Sequence, residues 1–397
     1  MNFSHLLKAN IAGKLVNHLL VFLINVIMVR LLGVEQSGRY FNELYLINFT
    51  AFFFSFGLDF AAIAWLGREP GLFAILHRTF FRIIIAVSIS IFLINTWLFS
   101  ASIIKPMQDV LTITLFAGGQ LALILFQGLL SADKKFNTQN LLLIGSNLIF
   151  LLLLYLLRER TYTMDELTRM YAGLIAFQGV LMMMAAHKPT PPEQAQINYR
   201  NLFRYGMQVM ISSLIYFVFL RADNFFVERY ADGSTLGNYV QCGKVGQYFI
   251  YFSSVISSTL IPFIASEELA KTYSGWLKLM RPYVLIIVTG AILVCLTGPW
   301  LFPLVFGEAF QSMHKYMNIL MPGYVCLGIL TLMNAVYLGK GDVRTIFRGD
   351  LMALLLLLLL DVFLVPRFGV MMAAMVSSVC SFLLCLYLWI HLRKHFN

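Results

Sequence analysis

The feature that most constrains this sequence is a series of long apolar runs that follow one another with few charges inside them. Each run holds about 20 mostly apolar residues, which is the length a helix needs to cross a bilayer core. Lipid offers no hydrogen-bond partners, so each run must satisfy its own backbone, and solid apolar blocks favour helices over the alternating strands of a β-barrel. Twelve runs qualify, with approximate limits of 11–33, 40–65, 79–103, 109–131, 138–157, 166–186, 204–228, 236–264, 280–303, 315–338, 347–365 and 369–392.

Composition leads to the same prediction. Of the 397 residues, 59% are hydrophobic and 12% are charged, whereas a soluble domain is about half apolar and a quarter charged. No soluble fold can bury this much apolar surface, so the sequence predicts an all-α integral membrane protein. The five cysteines lie in or beside apolar runs without a C-x-x-C pair, so neither a disulfide framework nor a metal site is expected.

The basic residues between the runs predict an orientation. With the N-terminus in the cytoplasm, 17 of the 29 Lys and Arg residues fall on the cytoplasmic side, 9 fall on the opposite side and three lie inside runs. An excess of basic residues in cytoplasmic loops is the usual pattern of membrane proteins. Both termini are therefore predicted to be cytoplasmic, and this topology explains the net charge of +10 without a nucleic-acid partner.

A polar connection near the middle divides the chain into two similar halves. The connection, residues 187–203, contains the letters K-P-T-P-P-E-Q-A-Q, and the pattern R-x7-G-x-Y that begins at Arg30 recurs at Arg229. The glycine of each copy is expected to be a turn residue. Repeats with an even number of helices are parallel in the membrane, which is a transporter architecture. We predict two six-helix lobes, 1–186 and 204–397, joined by a cytoplasmic linker.

Polar side chains inside the runs are the candidate functional residues, because burying them in a membrane is costly unless they face a cavity or a partner. In the first two runs of each half they recur at spacings of three, four or seven, so each run carries a polar stripe on one face. We predict that these stripes line a shared water-filled lumen. The candidate lumen residues are Lys14, His18, Asn25, Asn48, Asp59, Arg221, Asp223, Lys244 and Tyr248.

Some acidic and basic candidates have a second interpretation. Lys14 lies near a helix start, from which its long side chain could reach the membrane surface. Arg221 and Asp223 could instead anchor the outer end of the seventh helix. Asp59 is either an ion or proton site or a residue that caps polar backbone at a helix end. Asp361, near the outer end of the eleventh run, is expected at the membrane–water interface.

The basic residues inside the runs predict an anionic substrate. Lys14, Arg221 and Lys244 can give a lumen a positive potential, which low-dielectric walls strengthen. Arg and Lys suit phosphate oxygens, and the nearby Asn, Gln, Ser and Tyr side chains suit sugar hydroxyls. A cavity of this kind that opens sideways to lipid fits an amphiphile with a phosphate and a glycan head.

Several short segments carry a family resemblance. In order and spacing they resemble the Wzx-type O-antigen and polysaccharide flippases of the multidrug/oligosaccharidyl-lipid/polysaccharide exporter superfamily, from about residue 5 to residue 392. One departure is Met372, where the family often has Gly. The segments are 30–33 with 38–40, 57–59, Asp223 with 237–239, 304–310 and 365–374.

The resemblance implies a fold, a cargo and a location. It implies a MATE-like, multi-pass protein of the bacterial inner membrane whose two lobes alternate access by rocking. The cargo would be an undecaprenyl-diphosphate-linked oligosaccharide, such as an O-antigen repeat unit of lipopolysaccharide, which moves from the cytoplasmic to the periplasmic leaflet. Membrane lipids, a polysaccharide polymerase and a chain-length regulator are the partners that it suggests. It implies a transporter that needs no cofactor, and proton or sodium coupling through Asp59 or His18 is open.

Three other functions stay as alternatives. A multidrug or cation antiporter of the same superfamily would favour more acidic groups inside the helices than this sequence has. A major-facilitator transporter would carry G-x-x-x-D-R-x-G-R-[RK] between its second and third helices, and residues 67–82 lack it. A membrane-embedded glycan polymerase or ligase would have a large outer loop. The sequence also has no G-x-x-x-x-G-K-[ST] loop, so this chain is not expected to hydrolyse ATP.

Overall fold

The computed structural model describes residues 3–66, 70–100, 109–156, 162–187, 198–265, 273–339 and 342–392. Within these ranges the secondary structure is helical and contains no strand, which confirms the predicted all-α class. The α-helices are α1 (Phe3–Phe54), α2 (Leu58–Leu66), α3 (Phe73–Ser100), α4 (Val110–Ala132), α5 (Phe136–Leu156), α6 (Met164–Ala185), α7 (Tyr199–Phe219), α8 (Ala222–Tyr230), α9 (Gly233–Ala265), α10 (Tyr273–Phe306), α11 (Met313–Gly339), α12 (Val343–Phe368) and α13 (Val370–Leu392).

Ten helical segments in the described part of the chain are long and apolar enough to cross a membrane. The difference from the twelve predicted runs has two sources. The helices of the first two runs meet at a kink at Gly33 without a loop, so they count as one segment, Ala12–Phe54, and α9, which matches the eighth run, is not among the ten. The protein is therefore a multi-pass membrane protein by length and composition. The number twelve and the cytoplasmic position of both termini stay predictions.

The boundary between the first two runs differs from the predicted loop. Only Gly33 (φ 73°, ψ 176°) departs from helical geometry there, and α1 continues on its far side. The second run is instead interrupted further on, where Phe56 (φ 50°) and Gly57 (φ 62°) adopt the left-handed conformation before α2 begins. A sequence pattern locates an apolar run well, but it does not show at which residue the backbone turns and the helix ends.

The chain forms two compact units. Unit 1 comprises Met1–Leu32 and Glu43–Leu214, and unit 2 comprises Gly33–Asn42 and Ile215–Asn397. The division into lobes at 1–186 and 204–397 stays a prediction. Most of the predicted linker, residues 188–197, lies outside the described residues.

In unit 1, α4 packs against α2, α3 and α6. Small residues allow the closest approach, as is common between membrane helices. A Cβ atom on Gly119 would lie 2.6 Å from the Cα of Ala176, and one on Gly179 would lie 2.7 Å from the Gly119 carbonyl oxygen. The buried apolar core around these helices includes Leu58, Ala61, Leu76, Phe80, Leu121, Phe126, Leu129 and Met182.

Polar residues define the starts of α4 and α6. Asp109 caps α4 by accepting a hydrogen bond from the Thr112 amide at 2.7 Å, and Arg169 of α6 lies 3.0 Å from its carboxylate. Partial burial raises the pKa of Asp109, but the hydrogen bonds from Thr112 and the charge of Arg169 lower it by more, so the net shift is downward. The polar opening of the sixth predicted run is a capping box between Thr163 and Glu166.

In unit 2, α11 packs against α9, α10 and α13. Gly246 of α9 lies directly against the ring of Tyr324 on α11, and no larger residue would fit there. The buried hydroxyl of Tyr337 donates a hydrogen bond of 2.6 Å to the Leu388 carbonyl of α13. These contacts hold α9 and α13 on either side of α11 and so position the polar residues of α8, α9 and α12.

Candidate functional site

The first polar stripe lies on α1 in unit 1. Lys14 and His18 are half-buried and one turn apart, and the charge of Lys14 acts on His18. Asn25 is buried, and neither atom of its amide has a hydrogen-bond partner in the described ranges. Buried amides are nearly always hydrogen-bonded. Asn25 is therefore the member of this stripe that most needs a ligand or water.

A second amide of α1, that of Asn17, has a packing role. The Asn147 side chain donates to Asn17 Oδ1 at 2.8 Å, and Gln178 donates to Asn147 Oδ1 and to Ser146 Oγ, both at 2.9 Å. This network links α1 to α5 and α6. The polar face of α1 thus contains two kinds of amide. Asn17 is hydrogen-bonded to a neighbouring helix, whereas Asn25 has no hydrogen-bond partner in the described ranges.

Asn48 and Asp59, the two candidate lumen residues of the second run, differ in their surroundings. Asn48 is half-buried and donates to the Leu44 carbonyl of its own helix at 2.8 Å. Asp59 lies in the first turn of α2, where a negative charge is favourable. Its backbone packs on α4, because a Cβ on Gly128 would lie 2.8 Å from the Asp59 Cα. Its Oδ1 is buried without a hydrogen-bond partner among the residues that the structure describes, so both interpretations of Asp59 stay open.

The glycines of the repeated pattern meet in unit 2. Gly38 and Gly237 both lie inside helices, so the expectation that they are turn residues is wrong. A Cβ on Gly38 would lie 2.7 Å from the Gly237 amide nitrogen, and one on Gly237 would overlap the Val34 carbonyl oxygen. The glycines are thus required for close contact between two helix backbones. Sequence spacing reveals that the pattern repeats but does not reveal that the copies touch.

Asp223 is buried in unit 2, where it is a hydrogen-bond acceptor. Its carboxylate accepts from the Tyr239 hydroxyl at 2.6 Å and from the Asn224 amide at 2.9 Å. Tyr239 is the tyrosine of the second R-x7-G-x-Y copy and was not among the predicted lumen residues. The repeat was the available signal for it, because a tyrosine that recurs with the glycine marks the same packed position.

Two cationic side chains lie near each other in unit 2. The Arg221 guanidinium is 4.1 Å from the centre of the Phe217 ring, and the Lys244 ammonium is 3.6 Å from the centre of the Phe41 ring. The charge of Arg221 acts on Lys244. Aromatic faces attract such cations, by about 0.5–2 kcal/mol each, and so stabilise both side chains where they lie. We call Arg221 and Lys244 the basic pair.

Tyr248 extends the face that carries the basic pair. It lies one turn beyond Lys244 on α9 and is half-buried, with its ring 5.9 Å from that of Tyr251. The structure thus brings Lys14 together with His18 in unit 1, and Arg221 with Lys244 in unit 2. An arginine and a lysine at one place can bind two phosphate oxygens, the arginine through its planar fork and the lysine as a point charge.

Asp361 of α12 is buried among protein side chains, and its predicted position at the membrane–water interface stays a prediction. It is fully buried, and neither carboxylate oxygen has a hydrogen-bond partner among the described residues. Hydropathy places a residue along a helix but not around it. The spacing was available as a signal, because Asp361 continues the buried stripe of Asp350, Leu354 and Leu357 at intervals of three and four.

The sequence matches a family described as "Polysaccharide biosynthesis protein" over residues 27–315. The chain belongs to this family. The resemblance to polysaccharide flippases seen in the motifs is confirmed at this level. No curated protein sequence matches this chain.

Similar solved structures show the fold of this chain. The lipid II flippase MurJ, in an inward closed conformation, superimposes with a TM-score of 0.71 at 16% identity, covering 97% of this chain and 87% of MurJ. A mutant of the Vibrio cholerae MATE transporter VcmN gives 0.71 at 14% identity, with coverage of 98% and 95%. A MOP superfamily transporter from Pyrococcus furiosus gives 0.71 at 12%, with coverage of 98% and 94%. At these identities the likeness establishes the predicted MATE-like fold.

Proposed function

We propose that this protein is a flippase that moves an undecaprenyl-diphosphate-linked oligosaccharide from the cytoplasmic to the periplasmic leaflet of the bacterial inner membrane. The observation that carries the proposal is the match to the polysaccharide biosynthesis family over residues 27–315. The MATE-like fold supports a transporter rather than an enzyme, and MurJ, which shares the fold, is a lipid II flippase. An O-antigen repeat unit is the proposed cargo.

The basic pair supports an anionic cargo. Arg221 and Lys244 lie close enough for their charges to interact, and each cation rests on an aromatic ring in unit 2. A diphosphate that approaches them would remove the repulsion between two like charges, so the attraction would be strongest for a doubly charged group. We propose that Lys14 adds a third positive charge, while Asn25 and Tyr248 contact sugar hydroxyls.

The proposed mechanism is alternating access. The glycan and its diphosphate enter a water-filled lumen while the polyprenyl tail stays in lipid, and the lumen then opens to the other side. Coupling to a proton or sodium gradient belongs to the proposal, with Asp59 and His18 as candidate sites. A polymerase and a chain-length regulator would act on the product.

A multidrug or cation antiporter is the second candidate, because MATE transporters share the fold. The basic pair argues against it, since an arginine and a lysine repel a cationic drug. The two candidates therefore make opposite predictions about cargo charge.

Deletion of the gene in its host tests the proposal. We expect unpolymerised lipid-linked repeat units to accumulate on the cytoplasmic side and surface glycan to disappear, and both defects to be reversed by the wild-type gene. The measurement is surface glycan by gel, with lipid-linked intermediates by mass spectrometry. Normal surface glycan in the deletion strain would rule out the proposed function.

The same strain tests the cationic residues by complementation. The variants Lys14→Gln, Arg221→Gln and Lys244→Gln should restore less surface glycan than wild type at equal protein level, with the largest loss when Arg221 and Lys244 are changed together. Lys315→Gln is the matched control, because Lys315 is exposed on α11 and lies outside the proposed site. Full complementation by all three variants would remove the basic residues from the mechanism.

A further inference from the structure

A separate cavity of about 500 Å³ opens in unit 1 where α3 begins and α6 ends. None of its lining residues belongs to the proposed lumen. The volume lies within the range of small-molecule sites, which is about 300–1,000 Å³. We call it the α3–α6 cavity.

One wall of the α3–α6 cavity is basic. Arg78 and Arg82 are exposed and four residues apart on α3, so they project from successive turns of one helix face. Neither forms an ion pair with a residue in the described ranges. Like charges at this spacing repel each other and destabilise a helix by a few tenths of a kcal/mol. An anion bound between them would remove that cost.

Two histidines lie beside the arginines and connect the helices that line the cavity. His77 Nε2 lies 3.1 Å from the Met183 carbonyl, and since a carbonyl can only accept, Nε2 carries the hydrogen. The ring of His187, at the end of α6, is 5.5 Å from the ring of His77. The α3 and α6 sides of the cavity are therefore held in a defined relation.

The rest of the cavity lining is apolar and accessible. Phe81 is 42% exposed and Met184 is 66% exposed, with Met183 half-buried beside them. Methionine side chains are flexible and adapt to irregular apolar surfaces. A cavity lined by two arginines, an aromatic ring and thioethers suits a molecule that is anionic at one end and apolar at the other.

We propose that the α3–α6 cavity binds one anionic phospholipid. Its phosphate would lie between Arg78 and Arg82, and the start of an acyl chain would lie along Phe81 and Met184. Basic pockets between membrane helices are typical sites for anionic lipid headgroups, and arginine matches phosphate geometry. Charge complementarity and the adjoining apolar wall favour a lipid over a free phosphate ion, which would contact only the arginines.

Lipid binding to the purified full-length protein tests this proposal. After delipidation, phosphatidylglycerol or phosphatidylcholine is added at equal concentration, and bound lipid is counted by native mass spectrometry. We expect wild type to bind phosphatidylglycerol about tenfold more tightly, and Arg78→Gln/Arg82→Gln to lose that preference, because charge-assisted hydrogen bonds are lost. Equal binding of the two lipids by wild type would overturn the proposal.

The chain offers a matched control for surface charge. Arg344 and Arg348 are also exposed arginines four residues apart near the start of a helix, α12, and belong to the same predicted side of the membrane. Arg344→Gln/Arg348→Gln should keep the preference for phosphatidylglycerol. An equal loss in both double variants would mean that the lipid is attracted by general surface charge, and the site would be excluded. Each variant is first checked for wild-type elution and thermal midpoint.

Competition with inorganic phosphate distinguishes binding of a lipid headgroup from binding of a free phosphate ion. A millimolar excess of phosphate should leave bound phosphatidylglycerol in place, and Phe81→Gln should weaken lipid binding without changing phosphate binding. If phosphate displaces the lipid and Phe81→Gln has no effect, the cavity binds a free anion and the lipid proposal fails. Lipid binding is measured without transport, so failure of the lipid proposal and failure of the proposed flippase function can be told apart.

Discussion

Two carboxylates in unit 2 show how differently buried acidic residues can be used. Asp223 accepts two hydrogen bonds, from Tyr239 and Asn224. Asp361 is also buried, yet neither of its oxygens has a hydrogen-bond partner in the part of the chain that is described. A buried polar group without a partner costs about 1–3 kcal/mol. Such groups persist where they serve function rather than stability.

Replacement of each acid by asparagine should therefore shift stability in opposite directions. We expect Asp361→Asn to raise the thermal midpoint by roughly 2 °C or more and to reduce surface glycan in complementation. Asp223→Asn should lower the midpoint, because one accepting oxygen becomes a donor and a hydrogen bond worth about 1–3 kcal/mol is lost. Thermal unfolding of purified protein measures both. A fall in stability for Asp361→Asn with intact complementation would show that this carboxylate is structural.

At the scale of elements, glycine contacts decide how closely helices approach. Gly38 and Gly237 bring together the two copies of the repeated pattern in unit 2, and Gly119 and Gly179 join α4 to α6 in unit 1. In a membrane, helix association depends on van der Waals contact and interhelical hydrogen bonds more than on the hydrophobic effect, so small residues at a crossing have a large influence. The neighbour in these crossings is backbone, which cannot move aside as a flexible side chain can.

Gly237→Ala should be poorly tolerated. The added methyl group would overlap the carbonyl oxygen of Val34, and overpacking of this kind costs about 1–3 kcal/mol or more. Gly145→Ala is the control, because a methyl group there meets nothing within 4 Å and alanine favours a helix by about 0.5–1 kcal/mol. Fluorescence-detected size exclusion after heating compares the two. Equal midpoints would contradict the proposed close contact.

At the scale of the whole molecule, topology is the central prediction. The apolar runs predict twelve crossings and the basic residues predict that both termini are cytoplasmic, whereas ten described segments meet the length and hydropathy needed for a crossing. The difference depends on α1, which bends at Gly33, and on α9. If the α1 region crosses twice, as predicted, and α9 also crosses, the connection between α10 and α11 lies outside. If it does not, that connection lies inside.

Cysteine labelling in intact cells tests this topology. In a variant without the five native cysteines, Gln311→Cys between α10 and α11 should react with a membrane-impermeant thiol reagent. Lys135→Cys between α4 and α5 should react only after the membrane is permeabilised. Both positions are at least partly exposed, so accessibility to the protein surface is matched. Protection of Gln311→Cys in intact cells would show that the predicted crossing by α9 is wrong.

Much of the fold could be predicted because membrane crossing is a local property. A run of apolar residues must form a helix whatever its neighbours are. The predicted runs end within a few residues of the ends of α3 to α6 and α10 to α13, although α3 and α10 begin earlier than predicted. The candidate site was less predictable. Polar spacing identified Lys14, Arg221 and Lys244, but it did not distinguish Asn17, which is satisfied by Asn147, from Asn25, which has no partner in the described ranges.

The order of residues alone predicts that the chain is a helical membrane protein, where most of its helices lie and which family its motifs resemble. The tertiary structure decided which residues meet. It placed Gly38 against Gly237, buried Asp361 inside unit 2, and brought Arg221 near Lys244 over aromatic rings. The reason is physical: hydropathy acts through the surrounding lipid and is read residue by residue, whereas these contacts join residues far apart in the chain and depend on how closely two helices can approach.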